Sequence, residues 1–192
     1  FLSRLIFDEI MSNFLINSKI RKSIKKIKKN RKKFNNEAYD FIKSRIDYKL
    51  TNDQINALNE INTDLKSNQK MFRLLQGDVG SGKTIVSLIA SYNVIKSGHQ
   101  VAFMAPTEIL AKQHYNLAKK IFKKNINVEL LTSKVDLHRR KEIINDLSNY
   151  KINLLIGTHS LFQEKIIFKN LGLVIIDEQH KFGVKQRKKL SD

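Results

Sequence analysis

The densest chemistry in the chain lies in Gln76-Gly77-Asp78-Val79-Gly80-Ser81-Gly82-Lys83-Thr84, which fits the spacing G-x-x-x-x-G-K-[ST]. An apolar run, Met71 to Leu75, precedes it, and a helix-like run, Thr84 to Lys96, follows. Gly77, Gly80 and Gly82 allow a tight turn in which successive backbone N–H groups point at one anion. A helix opening at the end of the loop adds its free N–H groups and the positive end of its dipole. The ligand this chemistry fits is a nucleoside triphosphate. Gly77, Asp78, Val79, Gly80, Ser81 and Gly82 would cradle the phosphates, Lys83 would reach the β- and γ-phosphates, and the Thr84 hydroxyl would hold Mg²⁺.

A second constellation lies downstream. The apolar stretch Leu173-Val174-Ile175-Ile176 ends directly in Asp177-Glu178-Gln179-His180. Adjacent carboxylates at the end of a buried strand are costly unless something positive faces them. In a phosphate-loop protein that partner is Mg²⁺, so Asp177 is expected on the metal and Glu178 as the general base for the attacking water. His180 has three readings: a metal ligand, a surface residue, or a link from the nucleotide site to another surface. No second His or Cys stands at ligand spacing, which discounts the metal.

The elements that would position these groups follow from periodicity. From Phe1 to Phe34 the chain is glycine-free with helical spacing, and Lys19 to Lys33 is strongly basic without an interrupting acid. Such an arm could follow a phosphate backbone or serve as a solvated linker. A second helical piece carries Ala38, Phe41, Ile42 and Ile46, and Thr51 or Asn52 can cap a third through Ile55, Leu58, Ile61 and Leu65. After Met71, apolar runs alternate with amphipathic helices. Strands are expected at Phe72–Leu75, Val101–Ala105, Val128–Leu131, Leu154–Ile156 and Leu173–Ile176. Helices are expected near Thr84–Lys96, Glu108–Lys124 and Leu137–Leu147. The pattern predicts an α/β fold with a parallel sheet and right-handed crossovers, its ligands beyond the carboxyl ends of the strands.

Composition bounds the function. With 36 Lys plus Arg against 18 Asp plus Glu, the formal charge of +18 points to a polyanionic partner, most often nucleic acid. Abundant Lys, Ile and Asn with a single Pro is also what an A- and T-rich gene would encode, which accounts for part of the surplus. No apolar run reaches a membrane span, and Asp8 and Glu9 interrupt the apolar start, against a signal peptide. The absence of cysteine removes disulfides and thiol metal sites and fits a cytoplasmic protein.

A phosphate loop followed by Asp-Glu-x-His is similar to the signature of superfamily 2 helicases and translocases. The longer words resemble those of the RecG family of ATP-dependent DNA helicases, which remodel stalled forks and branched DNA. They are Leu74-Leu75-Gln76 running into the loop, Met104-Ala105-Pro106-Thr107-Glu108-Ile109-Leu110-Ala111-Lys112-Gln113-His114, Gly157-Thr158-His159-Ser160-Leu161, and Asp177 through Arg187, with Lys181 where that family usually has Arg. Leu50-Thr51-x-x-Gln54 matches the upstream glutamine motif, and Arg4 to Glu9 resembles the link to a fork-reading wedge domain.

The resemblance implies a RecA-like lobe over 50–192, ending before the Thr-Ala-Thr-like motif, preceded by a basic helical arm over 1–49. It implies that Gln54 reads the adenine edge of ATP and that Pro106, Thr107, Thr158 and His159 lie against a DNA backbone. His180 would relay the nucleotide state toward that surface, alongside Lys83, Asp177 and Glu178 in catalysis. The wedge and the second lobe with its arginine finger lie outside this sequence, so the chain alone is expected to bind Mg-ATP with little turnover. Other readings are the first lobe of the transcription-repair coupling translocase, which usually has Asp-Glu-Glu-Gln at the strand end, an RNA helicase, or a non-catalytic module that binds ATP or DNA.

Overall fold

Val101, Ala102, Phe103 and Met104 are apolar in succession, so their strand must be covered on both faces. They form β1 (Gln100–Met104), in which every residue is buried. The computed structural model describes residues 11, 32–34, 37–158, 161 and 166–178. In it β1 lies between β3 (Leu154–Gly157) and β4 (Leu171–Ile176), with β2 (Val128–Leu131) beyond β3. All the pairings are parallel, and Met104 stands opposite Gly157 on one side and Ile176 on the other. The strands therefore end together, and the loops that follow β1, β3 and β4 share one edge.

Helices cover both faces. On one side lie α1 (Glu37–Lys43), α2 (Asn52–Lys66), α3 (Lys83–Lys96) and α4 (Glu108–Phe122). Their main core joins Ala38, Ile42, Leu58, Leu65, Leu88 and Ile89 to Val101, Phe103 and Ile156 of the sheet. The other face packs Met104, Leu131 and Leu155 against Ile143 and Leu147 of α5 (Leu137–Ser148). Helix α3 is buried around most of its circumference because it sits between the sheet and the pair α1 and α2. Thr51, Thr107 and Asp136 cap α2, α4 and α5 through side-chain oxygens, as the spacing of polar residues before each apolar run requires.

Two expectations differ from this picture. Phe72–Leu75 runs without strand pairing, with Phe72 and Leu74 exposed. The reason lies in Arg73, whose guanidinium bonds Asp64 at 2.8 Å and also Glu60, holding the segment on α2 instead of against a strand. Lys32–Phe34 is not helical, although the helical spacing continues to Phe34. Its backbone is drawn beside α2, where Lys32 N–H donates to the Leu65 carbonyl at 3.3 Å. Of the basic arm, residues 1–10, 12–31, 35 and 36 lie outside the described residues.

Candidate functional site

The loop between Leu75 and α3 is built as its glycines require. Gly80 and Gly82 take φ of 82° and 81°, and Gly82 is the N-cap of α3. No side chain caps this helix, whereas α2, α4 and α5 are all capped. Its first N–H groups therefore face the loop hollow with the positive end of the dipole. Lys83 Nζ folds into that hollow and donates to the carbonyls of Gly77 and Asp78, both at 2.7 Å. Thr84 follows it at the start of the helix, and Val79 stands almost fully exposed at the loop tip.

Gln54 braces the loop from outside. Its Nε2 donates to the Ser81 carbonyl at 2.8 Å, while its Oε1 accepts from Thr51 N–H at 2.9 Å. Thr51 Oγ1 in turn accepts from Gln54 N–H at 3.3 Å, a reciprocal capping box at the start of α2. The glutamine predicted for adenine thus also ties α2 to the phosphate loop across 27 residues.

Asp177 follows β4 directly, and its N–H donates to the Met104 carbonyl at 2.8 Å, extending the ladder with β1. Its Oδ2 lies 2.8 Å from His114 Nε2 of α4, and both side chains are largely buried. That hydrogen bond from His114 holds the carboxyl below the usual aspartate range, with nearby Lys83 adding to the effect. Lys83 of the phosphate loop is thus near enough to Asp177 for its charge to act on that carboxylate. Glu178 follows in a turn with φ of 48°, a left-handed conformation that few non-glycine residues adopt.

Pro106 and Thr107 leave β1, and Thr158 leaves β3, at the same edge of the sheet. Thr107 Oγ accepts from Leu110 N–H at 3.3 Å, which leaves its hydroxyl proton to donate. His159 and His180 lie outside the described residues. His114 was not singled out by sequence reasoning. The signal for it was its place with Ala111, Ala118, Ile121 and Phe122 on the buried side of α4, where a polar residue needs a partner.

The donor set suits Mg²⁺. Thr84 and Asp177 offer hard oxygen ligands, with Asp177 Oδ2 held by His114. Those residues hold no group of three or more His, Cys, Asp or Glu that could cage a metal. Mg²⁺ rarely uses such cages and is more often held by one or two carboxylates, phosphates and water.

A parallel α/β sheet with a phosphate loop and an acidic strand end at its carboxyl edge defines a RecA-like nucleotide-binding domain. Comparison with known proteins narrows the class. The family model described as "DEAD/DEAH box helicase" matches residues 51–192, and the chain belongs to that family. It is 53% identical over 162 residues to the ATP-dependent DNA helicase RecG of Bacillus subtilis, covering 83% of this chain and 24% of that protein. It is 46% identical over 191 residues to RecG of Aquifex aeolicus, covering 97% of this chain and 24% of that one. A solved RecG bound to a three-way DNA junction superposes with a TM-score of 0.82 at 47% identity, over 94% of this chain and 25% of that one. The RecG resemblance read from the sequence is borne out, and the chain spans about a quarter of the length of these relatives.

Proposed function

We propose that this chain is the ATP-binding lobe of a DNA helicase or translocase that couples ATP hydrolysis to the remodelling of forked and branched DNA in repair and recombination. The observation that carries the reading is the uncapped start of α3, with Lys83 folded against it and near Asp177. The positive loop suits phosphates, and the acid suits the metal that accompanies them. Lys83 would leave the Gly77 and Asp78 carbonyls to donate to the β- and γ-phosphates. Thr84 and Asp177 would hold Mg²⁺, which supplies charge neutralisation when bound. Glu178 would take the proton of the attacking water. The backbone N–H groups of 77–82 would orient the phosphates, and Gln54, braced on Ser81, would keep one N–H for the adenine.

Pro106, Thr107 and Thr158, with His159, would meet a DNA backbone beyond β1 and β3. Contacts of that kind position a strand without reading its sequence. A division into a basic helical segment over 1–49 and an ATP-binding lobe over 50–192 belongs to the same proposal, with α1 seated on the lobe through Ala38 and Ile42. His180 would report the nucleotide state to the DNA side. The chain spans about a quarter of the length of its RecG relatives, and the arginine finger that the resemblance implies belongs to a second lobe. The isolated chain is therefore proposed to bind Mg-ATP with little turnover, because an arginine stabilises the charge of the transition state in ATPases of this kind.

The test is equilibrium binding of a fluorescent ATP analogue to the wild type and to Lys83→Ala, alongside ATP turnover with and without forked DNA. Losing the charged donor should weaken binding by at least about tenfold. Unchanged affinity in Lys83→Ala would remove the phosphate-loop assignment. Strong fork-stimulated turnover by the chain alone would refute the argument from the arginine.

A further inference from the structure

We propose that His114 is a positioning residue for Asp177, holding one carboxylate oxygen on helix α4 so that the other is presented to the metal of a bound nucleotide. The proposal rests on the reading of Asp177 as the metal-side acid.

Three observations carry it. His114 is 8% exposed, and its ring lies 4.9 Å from that of Phe103, centroid to centroid, so it has little room to turn. An imidazole in such a place is unfavourable without a polar partner, and the partner this structure gives it is Asp177 Oδ2 at 2.8 Å. An apolar side chain would fill the same space with no desolvation cost. Second, an ionised carboxylate can only accept, so the proton of this bond sits on Nε2 and the tautomer is fixed. Third, Asp177 is pinned twice: its N–H by the Met104 carbonyl of β1, and its carboxylate by α4.

The remaining oxygen, Oδ1, then has a defined direction before any ligand arrives. A small cation that demands near-regular geometry gains from that preorganisation, and hydrogen-bonded partners of ligating carboxylates are a common means of providing it. The choice of α4 adds a consequence. Its N-cap is Thr107, about 10 Å along the same helix from His114 at 1.5 Å per residue. One rigid element thus carries both the strand-end threonine and the hold on Asp177.

The experiment measures affinity of the 192-residue chain for a fluorescent non-hydrolysable ATP analogue in excess Mg²⁺ and in EDTA. The ratio of the two affinities is the metal increment. His114→Ala should lower that increment by roughly tenfold or more while leaving the EDTA affinity within about twofold. His114→Gln, whose amide can still donate, should keep most of the increment. Asp177→Asn should lose it, and adding His114→Ala to Asp177→Asn should cause no further loss. A full increment in His114→Ala would overturn the proposal, as would equal losses in EDTA for the Ala and Gln variants. Absence of an increment in the wild type would instead overturn the reading of the whole metal site and take the proposal with it. A long-range ¹H–¹⁵N spectrum of the wild type needs no variant and should show a proton on His114 Nε2. A bare Nε2 would overturn the proposal whether or not the alanine variant folds.

Discussion

Gly80 and Gly82 share nearly the same positive φ, yet a side chain would meet different surroundings at each. At Gly80 an added Cβ meets nothing within 4 Å; at Gly82 it lies 2.3 Å from Gln54 Nε2. Gly80→Ala should therefore cost only the left-handed backbone term, about 1–2 kcal/mol. Gly82→Ala adds displacement of the Gln54 amide from Ser81, so its loss in thermal stability should be larger by about 1 kcal/mol. Equal losses would mean that the bond between Gln54 and Ser81 contributes nothing. The glycines, Lys83 and Thr84 were legible because their chemistry is local: nine adjacent residues make the loop. The partner of Asp177 was not, because 63 residues separate it from His114 and only the packing of α4 on the sheet brings them together. Gln54 falls between these cases. Its capping box is written in Thr51-x-x-Gln54, but its bond to Ser81 required knowing how α2 lies beside the loop.

Helix α4 is tied down at its first turn as well as through His114. Glu108 accepts from Ser133 Oγ at 2.6 Å and pairs with Lys134 Nζ at 3.1 Å, joining the start of the helix to the loop after β2. The hydrogen bond from Ser133, helped by Lys134, lowers the Glu108 carboxyl below the ordinary glutamate range. Because folding lowers this pKa, the contact stabilises above the unfolded value of about 4.3 and is lost as pH falls through the folded one. The melting-temperature gap between the wild type and Glu108→Gln should be greatest near neutral pH and should close as pH falls through the folded value. A gap independent of pH would mean that shape, not charge, holds this turn. The helices after Met71 were legible to within a residue or two, since caps and apolar periodicity are local signals. Helix α4 stops at Phe122, short of the expected Lys124, where Lys123 turns to a φ of 49°. The strand expected at Phe72–Leu75 was not realised, because strand formation depends on a pairing edge, and the segment is tied to α2 through Arg73.

The whole molecule separates function from support along the strand axis. The phosphate loop, Asp177, Thr107 and Thr158 gather at the carboxyl edge, while the opposite edge is fastened by Gln100. That side chain is fully buried, and its Nε2 donates to the carbonyls of Leu147 at 2.8 Å and Ile152 at 2.7 Å. Its Oε1 accepts from Asn170 N–H at 3.0 Å, so one glutamine fastens α5, the entry to β3 and the entry to β4. Gln100→Ala would leave two carbonyls and one N–H without this partner, at a cost of about 3 kcal/mol. For a domain of this size that corresponds to a fall in melting temperature of roughly 6–12 °C. Affinity for Mg-ATP, measured well below the new melting point, should stay within about twofold of the wild type. The variant must lose stability and keep its site, because β1, which runs from Gln100 to the loops, is buried throughout and fixed by parallel pairing to β3 and β4. A matching loss of affinity would show that the two edges are coupled through the sheet, and the site would then depend on the packing of the whole domain as well as on the loops at its edge.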